Sequence, residues 1–238
     1  MANTITETIG LDMGDRYTRY SILDQQSGEE VGSGRIRTTP TGMEQFLEHY
    51  PRARVVLEVG THSRWANQIA QDNCGEVLVA NPRKLSFIYQ NDRKSDEVDA
   101  EALARVGRLD PKLLSPIRHR SKKAQAELSI LRARSGLVSA RTKLVNTLRG
   151  IVKSFGWRIP SHASKRIGHK TLQFVPEELH AALHPLLLSI ESLSDEIAEY
   201  DTRIENLADE THPESQLLTQ VFGVGKLTAM AYLLTIED

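Results

Sequence analysis

Residues 8–24 read TIGLDMGDRYTRYSILD. Two short runs rich in β-branched and aromatic residues, TIGLDMG and YTRYSILD, flank a turn at Gly14–Asp15, which predicts paired strands. GEEVGSGRIRTT, residues 28–39, predicts a third, edge-like strand. Three neighbouring strands joined by short turns make an antiparallel meander. Beyond Pro40, GMEQFLEHY reads as a helix, RVVLEVG as a buried strand and SRWANQIAQDN as a helix. EVLVANP is a further strand, closed by Pro82. A strand-led start passing into β-α-β units predicts an α/β domain, a mixed sheet with helices on its faces.

Acids interrupt these apolar strands. Asp12 follows Leu11 in TIGLDMG, and Glu58 follows Leu57 in RVVLEVG. A carboxylate in a sheet interior is costly unless it is paired or metal-bound. Residues 93–105, RKSDEVDAEALAR, add Asp96 and Asp99 at the opening of a predicted helix. Three residues apart, the two share a helix face and reach one site. Taken alone, they also suit a helix N-cap and the positive end of its dipole. With Asp12 and Glu58 counted, four oxygen ligands from separate elements match a Mg²⁺ site for phosphodiester chemistry. Lys94, just ahead of the pair, is either a phosphate contact or an ordinary exposed lysine.

The 238 residues suffice for one large domain or two ordinary ones. One cysteine, Cys74, excludes an intrachain disulfide and a cysteine metal cluster, which suits a reducing cytoplasm. No run of 18 apolar residues occurs, and MANTITETIG lacks the basic and apolar regions of a secretory signal. The expectation is an intracellular protein with no membrane role. The net charge of −1 conceals strong segregation. Residues 1–117 carry −3, residues 118–170 carry +13 and residues 171–238 carry −11. A +13 segment calls for a polyanion or an acidic partner surface, and the acidic third of the same chain is one such surface.

From Ser121 to Phe155 the pattern is helical, with an apolar stripe of Leu128, Leu131, Val138, Val145, Leu148, Val152 and Phe155. GWRIPSHASKRIGHK breaks it, and a second long helix is predicted over about 177–211. Leu186, Ile190, Leu193, Ile197, Tyr200, Ile204 and Leu207 there keep a heptad spacing. The two helices form an antiparallel hairpin, pair between subunits, or pack in a globular bundle. Gly223-Val224-Gly225-Lys226 lies between two apolar helical runs and resembles a helix-hairpin-helix phosphate contact. The phosphate-contact candidates in the basic segment are Arg118, Arg120, Lys122, Lys123, Arg132, Arg134, Arg141, Lys143, Arg149 and Lys153. His119, His162 and His169 have no ligand spacing and are read as part of the same surface. Trp65 and Trp157 are read as core or interface residues, with Trp157, beside Arg158, the better stacking candidate.

IGLDMGDRYTRYSILD, LEVGTHSRWANQIA and VANPRKLSFIYQNDRKSDEVDAEALAR together resemble the amino-terminal domain of the DEDD transposases of bacterial insertion sequences, also described as bridge-RNA-guided recombinases. The order Asp, Glu, Asp-x-x-Asp falls on Asp12, Glu58, Asp96 and Asp99, and Asn81-Pro82 also fits. GVGKLTAMAYLLTIED resembles the opening of that family's carboxy-terminal transposase domain. The resemblance implies a RuvC-like, ribonuclease-H-type domain over 1–117 that binds Mg²⁺ through the four acids. It implies a coiled-coil stalk over 118–212 and the beginning of a helical transposase domain over 213–238. The implied partners are DNA at element ends and target, a structured guide RNA, and further copies of the chain in a dimer or tetramer built through the long helices. The implied setting is the bacterial cytoplasm, at the nucleoid. In that family a serine well beyond the GxG motif attacks DNA. No position of this sequence matches it, so residues 1–238 are expected to lack the nucleophile, as a truncated chain or a partial copy.

Three rivals compete with this reading. A sugar-kinase or actin-type phosphotransferase also begins with a strand, an Asp and a glycine turn, but it needs a second half with its own phosphate loops, and none follows residue 110, where basic helices take over. A Holliday-junction resolvase shares the four acids without needing the charged helices. A non-catalytic nucleic-acid-binding coiled-coil protein would use the acids structurally.

Overall fold

The computed structural model describes residues 4–84, 96–160 and 167–237. Two compact units divide the chain at His119 and Arg120.

In the first unit, β1 (Glu7–Met13), β2 (Tyr17–Asp24) and β3 (Glu30–Arg37) form the expected meander. Then follow α1 (Pro40–Leu47), β4 (Ala53–Glu58), α2 (Ser63–Asn73), β5 (Glu76–Ala80) and α3 (Asp96–Leu109). The sheet order is β3-β2-β1-β4-β5. β2 is antiparallel to both its neighbours, whereas β4 runs parallel to β1 and β5 to β4. That order, with one reversed strand, is the ribonuclease-H-type arrangement to which RuvC-like domains belong.

Strand alternation sends successive side chains to opposite faces. Ile9, Leu11, Val55 and Leu57 enter the main core with Met43 and Leu47 of α1 and Ala66 and Ala70 of α2. The opposite face receives α3, which packs Leu103 against Val56 and Ala80. At Gly10 the helix backbone lies directly on the strand: a Cβ there would sit 2.0 Å from the Ala100 carbonyl oxygen and 2.6 Å from the Ala104 nitrogen. Only glycine admits that approach. Arg108, near the other end of α3, donates to the carbonyls of Asp24, Gln25 and Gln26. α3 is therefore pinned at two places along its length.

In the second unit, Ser121 caps α4 (Lys122–Ser154) by accepting from the Ala124 nitrogen. α5 (His180–Asn206) returns antiparallel to it. Arg134 donates to Asp201 at 2.5 Å, and Arg141 donates to the Ser194 hydroxyl at 2.7 Å. One core joins Val145, Leu148 and Val152 to Leu183, Leu187 and Ile190. A second joins Ala124, Leu128 and Leu131 to Ile204 and Ala208, with Met230 and Leu234 of α7 (Lys226–Ile236). The short α6 (Ser215–Thr219) precedes α7. The apolar stripe of α4 ends at Val152, because Phe155, read as its last member, lies beyond the helix and is half exposed. No helix among the described residues is long and apolar enough to cross a membrane.

Candidate active site at the ends of two parallel strands

Leu11 of β1 stands in register with Leu57 of β4, so Asp12 and Glu58, one step further on, end neighbouring parallel strands at the same level. Both are two residues beyond positions that face α3, Gly10 and Val56, and both therefore point to the α3 side. α3 runs opposite to β1: its Arg108 end reaches the close of β2, beside the start of β1, and its first turn lies toward the Asp12 end. Asp99 belongs to that first turn, one residue before the Ala100 that rests on Gly10. The fold thus brings Asp12, Glu58 and the opening of α3 together. Asp96 is the first residue of α3; its side chain, and the whole of Lys94, lie outside the described residues.

The donors offered are carboxylate oxygens, a hard set that suits Mg²⁺ rather than a softer metal. Among the described residues, which omit the Asp96 carboxylate, no three His, Cys, Asp or Glu side chains gather closely enough to hold a metal ion.

Two neighbours of the site were not singled out in the sequence. His62 stands just before α2, four residues after Glu58, with its Nε2 3.5 Å from Asp15 in the β1–β2 turn. Trp65 Nε1 donates to His62 Nδ1 at 3.3 Å, which leaves the ring proton on Nε2. Trp65 itself packs partly buried against the main core. Arg19 lies directly across from Asp12 on β2. A period-two pattern could have indicated Arg19, since opposite register positions share a face; His62 leaves no comparable signal.

The basic residues of the second unit divide into two sets. Arg120 donates to the Thr235 carbonyl, and Arg134 and Arg141 serve the helix hairpin. Lys122, Lys123, Arg132, Lys143, Arg149 and Lys153 are exposed, as is Arg118 just before the unit begins. His169 is bound to Glu191 at 2.7 Å and holds that carboxyl below its usual range, so it is a structural contact; His162 lies outside the described residues. Trp157 is 52% exposed beside Arg158. Gly223 adopts φ +85°, and Gly225 occupies the N-cap of α7, where among the described residues no side chain caps the first N–H groups. Lys226 is paired with Asp209 at 2.6 Å.

A family model described as Transposase, of the IS110 DEDD type, matches residues 9–156. A probable family 20 transposase of Pseudomonas aeruginosa is 28% identical over 97% of this chain and 68% of its own length. The transposase for insertion sequence element IS1328 of Yersinia enterocolitica is 27% identical over the same shares. A solved structure of T. thermophilus RuvC in complex with Holliday junction substrate is 12% identical, with a TM-score of 0.35, over 44% of this chain and 97% of that one. The family match spans the meander, both strand acids, the Asp-x-x-Asp turn and the whole of α4, and the chain belongs to the IS110-type DEDD transposases, a family of DNA transposases.

Proposed function

We propose that this chain acts in DNA recombination by an insertion-sequence transposase guided by a structured RNA, to which it contributes a Mg²⁺ site made by Asp12, Glu58, Asp96 and Asp99. Transposases of this family and fold use divalent metal ions. The observation that carries the reading is that Asp12 and Glu58 end adjacent parallel strands on the face that the first turn of α3 covers.

Neighbouring strands lie about 4.8 Å apart, so the sheet holds these two acids at a fixed spacing and offsets the cost of bringing like charges together during folding. The apolar core on the reverse face keeps both strands rigid. Asp96 and Asp99 approach from the helix, and the positive end of the α3 dipole favours anions there. Mg²⁺ held by such a set would stabilise the attacking and leaving oxygens of a phosphodiester. The exposed Lys122, Lys123, Arg132, Lys143, Arg149 and Lys153 would grip a nucleic-acid backbone, as would Arg118 at the end of the first unit. At Gly223–Gly225 the open N–H groups of α7 would take a phosphate, and Lys226 would exchange Asp209 for it. Assembly through the long helices into a dimer or tetramer, in the bacterial cytoplasm at the nucleoid, belongs to the same reading.

The test is Mg²⁺ titration by calorimetry on the whole chain and on Asp12→Asn, with structured-RNA binding measured across a salt series. Mg²⁺ binding lost in Asp12→Asn, together with RNA affinity that falls steeply with salt and drops in a Lys143→Ser, Arg149→Ser, Lys153→Ser variant, supports the reading. Equal Mg²⁺ binding by the two chains removes the metal site, and salt-insensitive RNA binding removes the guide.

A further inference from the structure

The α3 face of the sheet carries a row of positive charge that begins beside Asp12 and ends at the open edge. Asp12 of β1 is opposite Arg19 of β2, and Arg19 is opposite Arg35 of β3. The next outward-facing pair along the same strands is Tyr17 and Arg37. Arg35 lies over the Tyr17 ring, its Cζ 4.6 Å from the ring centre, and both side chains are exposed. Arg16, exposed at the turn, adds a fifth member to the group, in which Arg19 alone is half-buried. No acid occurs between Arg16 and Leu23 or between Val31 and Met43. Among the described residues no ion pair involves Arg35 or Arg37. This is notable in a segment, residues 1–117, whose overall charge is −3.

We propose that Arg35 and Arg37, with Tyr17 and Arg19, form a track that holds the backbone of a DNA strand as its phosphodiester reaches Asp12. The inference rests on the functional reading above and adds the surface that the substrate occupies. Strand positions about 5 Å apart across the sheet and about 7 Å apart along it offer guanidinium groups to several consecutive phosphates. Tyr17 stiffens Arg35 by stacking, which lowers the entropy lost when a phosphate binds. The partner is DNA rather than guide RNA, because the row is continuous with the carboxylate at which DNA chemistry takes place. Arginines on an edge strand also discourage pairing with another edge, so the variant must remove phosphate attraction while keeping the edge charged.

Arg35→Glu with Arg37→Glu does both. Binding of a short single-stranded DNA of mixed sequence is measured on the whole chain across a salt series, without Mg²⁺, and the same-sequence RNA is measured in parallel. Two phosphate contacts account for about 1.4 of the slope of log affinity against log salt. From about 1 M down to 0.15 M salt, that corresponds to roughly tenfold in affinity. The expected result is a DNA affinity at least tenfold lower and a slope shallower by about that amount. Unchanged affinity and slope, or a loss confined to the RNA, overturns the track. If the Glu pair melts earlier than the parent chain, the Arg35→Gln, Arg37→Gln pair is held to the same criterion. Asp12→Asn, measured alongside, separates the two ideas. In the Mg²⁺ calorimetry, binding by Asp12→Asn equal to that of the parent chain, with the arginine effect intact, removes the metal site alone; Mg²⁺ binding lost in Asp12→Asn, with no arginine effect, removes the track alone.

Discussion

Seating α3 on β1 depends on the absence of one carbon atom. In Gly10→Ala the new Cβ would stand 2.0 Å from the Ala100 oxygen and 2.6 Å from the Ala104 nitrogen. Ordinary contact is nearer 3.5–4 Å. Both obstacles are backbone, so no rotamer change relieves them and the helix must lift by about an ångström. Overpacking of this kind costs typically 1–3 kcal/mol, and backbone obstacles put Gly10→Ala near the upper end, about 3 kcal/mol. The two tryptophans lie one in each unit. In a Trp157→Phe background, the fluorescence of Trp65, packed on the main core, therefore reports the first unit alone. With a urea slope of about 2 kcal/mol per M, the midpoint should fall by roughly 1.5 M. Gly60→Ala, whose Cβ would meet nothing within 4 Å, is the control and should change the midpoint little. A Gly10→Ala midpoint equal to that of the control would mean that α3 does not rest on β1, and the convergence of Asp99 with Asp12 would fall with it.

The junction of α4 with residues 212–214 should make the second unit sensitive to pH. Burial would lower the His212 pKa, but donation to Glu127 at 2.9 Å and to Glu214 at 3.0 Å outweighs it and leaves the imidazole above its ordinary value. A raised pKa adds stability that is complete below the unfolded value, about 6.5, and is lost as pH rises through the folded one. Circular dichroism of urea unfolding should therefore show the unit weakening above about pH 6.5. Glu127→Ala should cost about 2 kcal/mol, and His212→Gln should flatten the profile; a flat parent profile would contradict the pairing. Cys74 gives an independent probe of the first unit. Burial, helped by the charge of Glu7, pushes its thiol up to about 11. Two pKa units above the usual 9.0 mean about a hundredfold less thiolate at pH 8. Alkylation of the native chain should be slower by that factor than in denaturant, and equal rates would contradict the partly buried placement.

Local chemistry made most of the first unit readable. Gly14–Asp15 between two β-branched runs fixes a hairpin, and alternation marks Asp12 and Glu58 as acids that depart from the pattern around them. The three-residue spacing of Asp96 and Asp99 at a helix opening joined them to those acids as one oxygen-ligand set, and the family resemblance has the same order. Less visible were contacts between residues far apart in the chain. Nothing near Gly10 indicates that Ala100 will lie on it. Nothing near Glu127 announces His212, 85 residues away. The basic run 118–153 reads as a uniform surface, yet Arg134 and Arg141 are turned into the hairpin because they fall on the side that meets α5. Phe155 fitted the apolar spacing, but the helix closes at Ser154 and the ring is left half exposed.

The two cores of the helical unit lie near opposite ends of the same pair of helices. No residue of α4 between Leu131 and Val145 is buried, and none of α5 between Ile190 and Ile204. The middle is held by Arg134–Asp201, Arg141–Ser194 and half-buried apolar side chains. Along a helix of 33 residues, about 50 Å, this separates the cooperative folding units from one another. Each end can open without the other, at a free energy set by its own core. Native-state hydrogen exchange should then resolve two levels of amide protection on one continuous helix, with a third, weaker level at its waist.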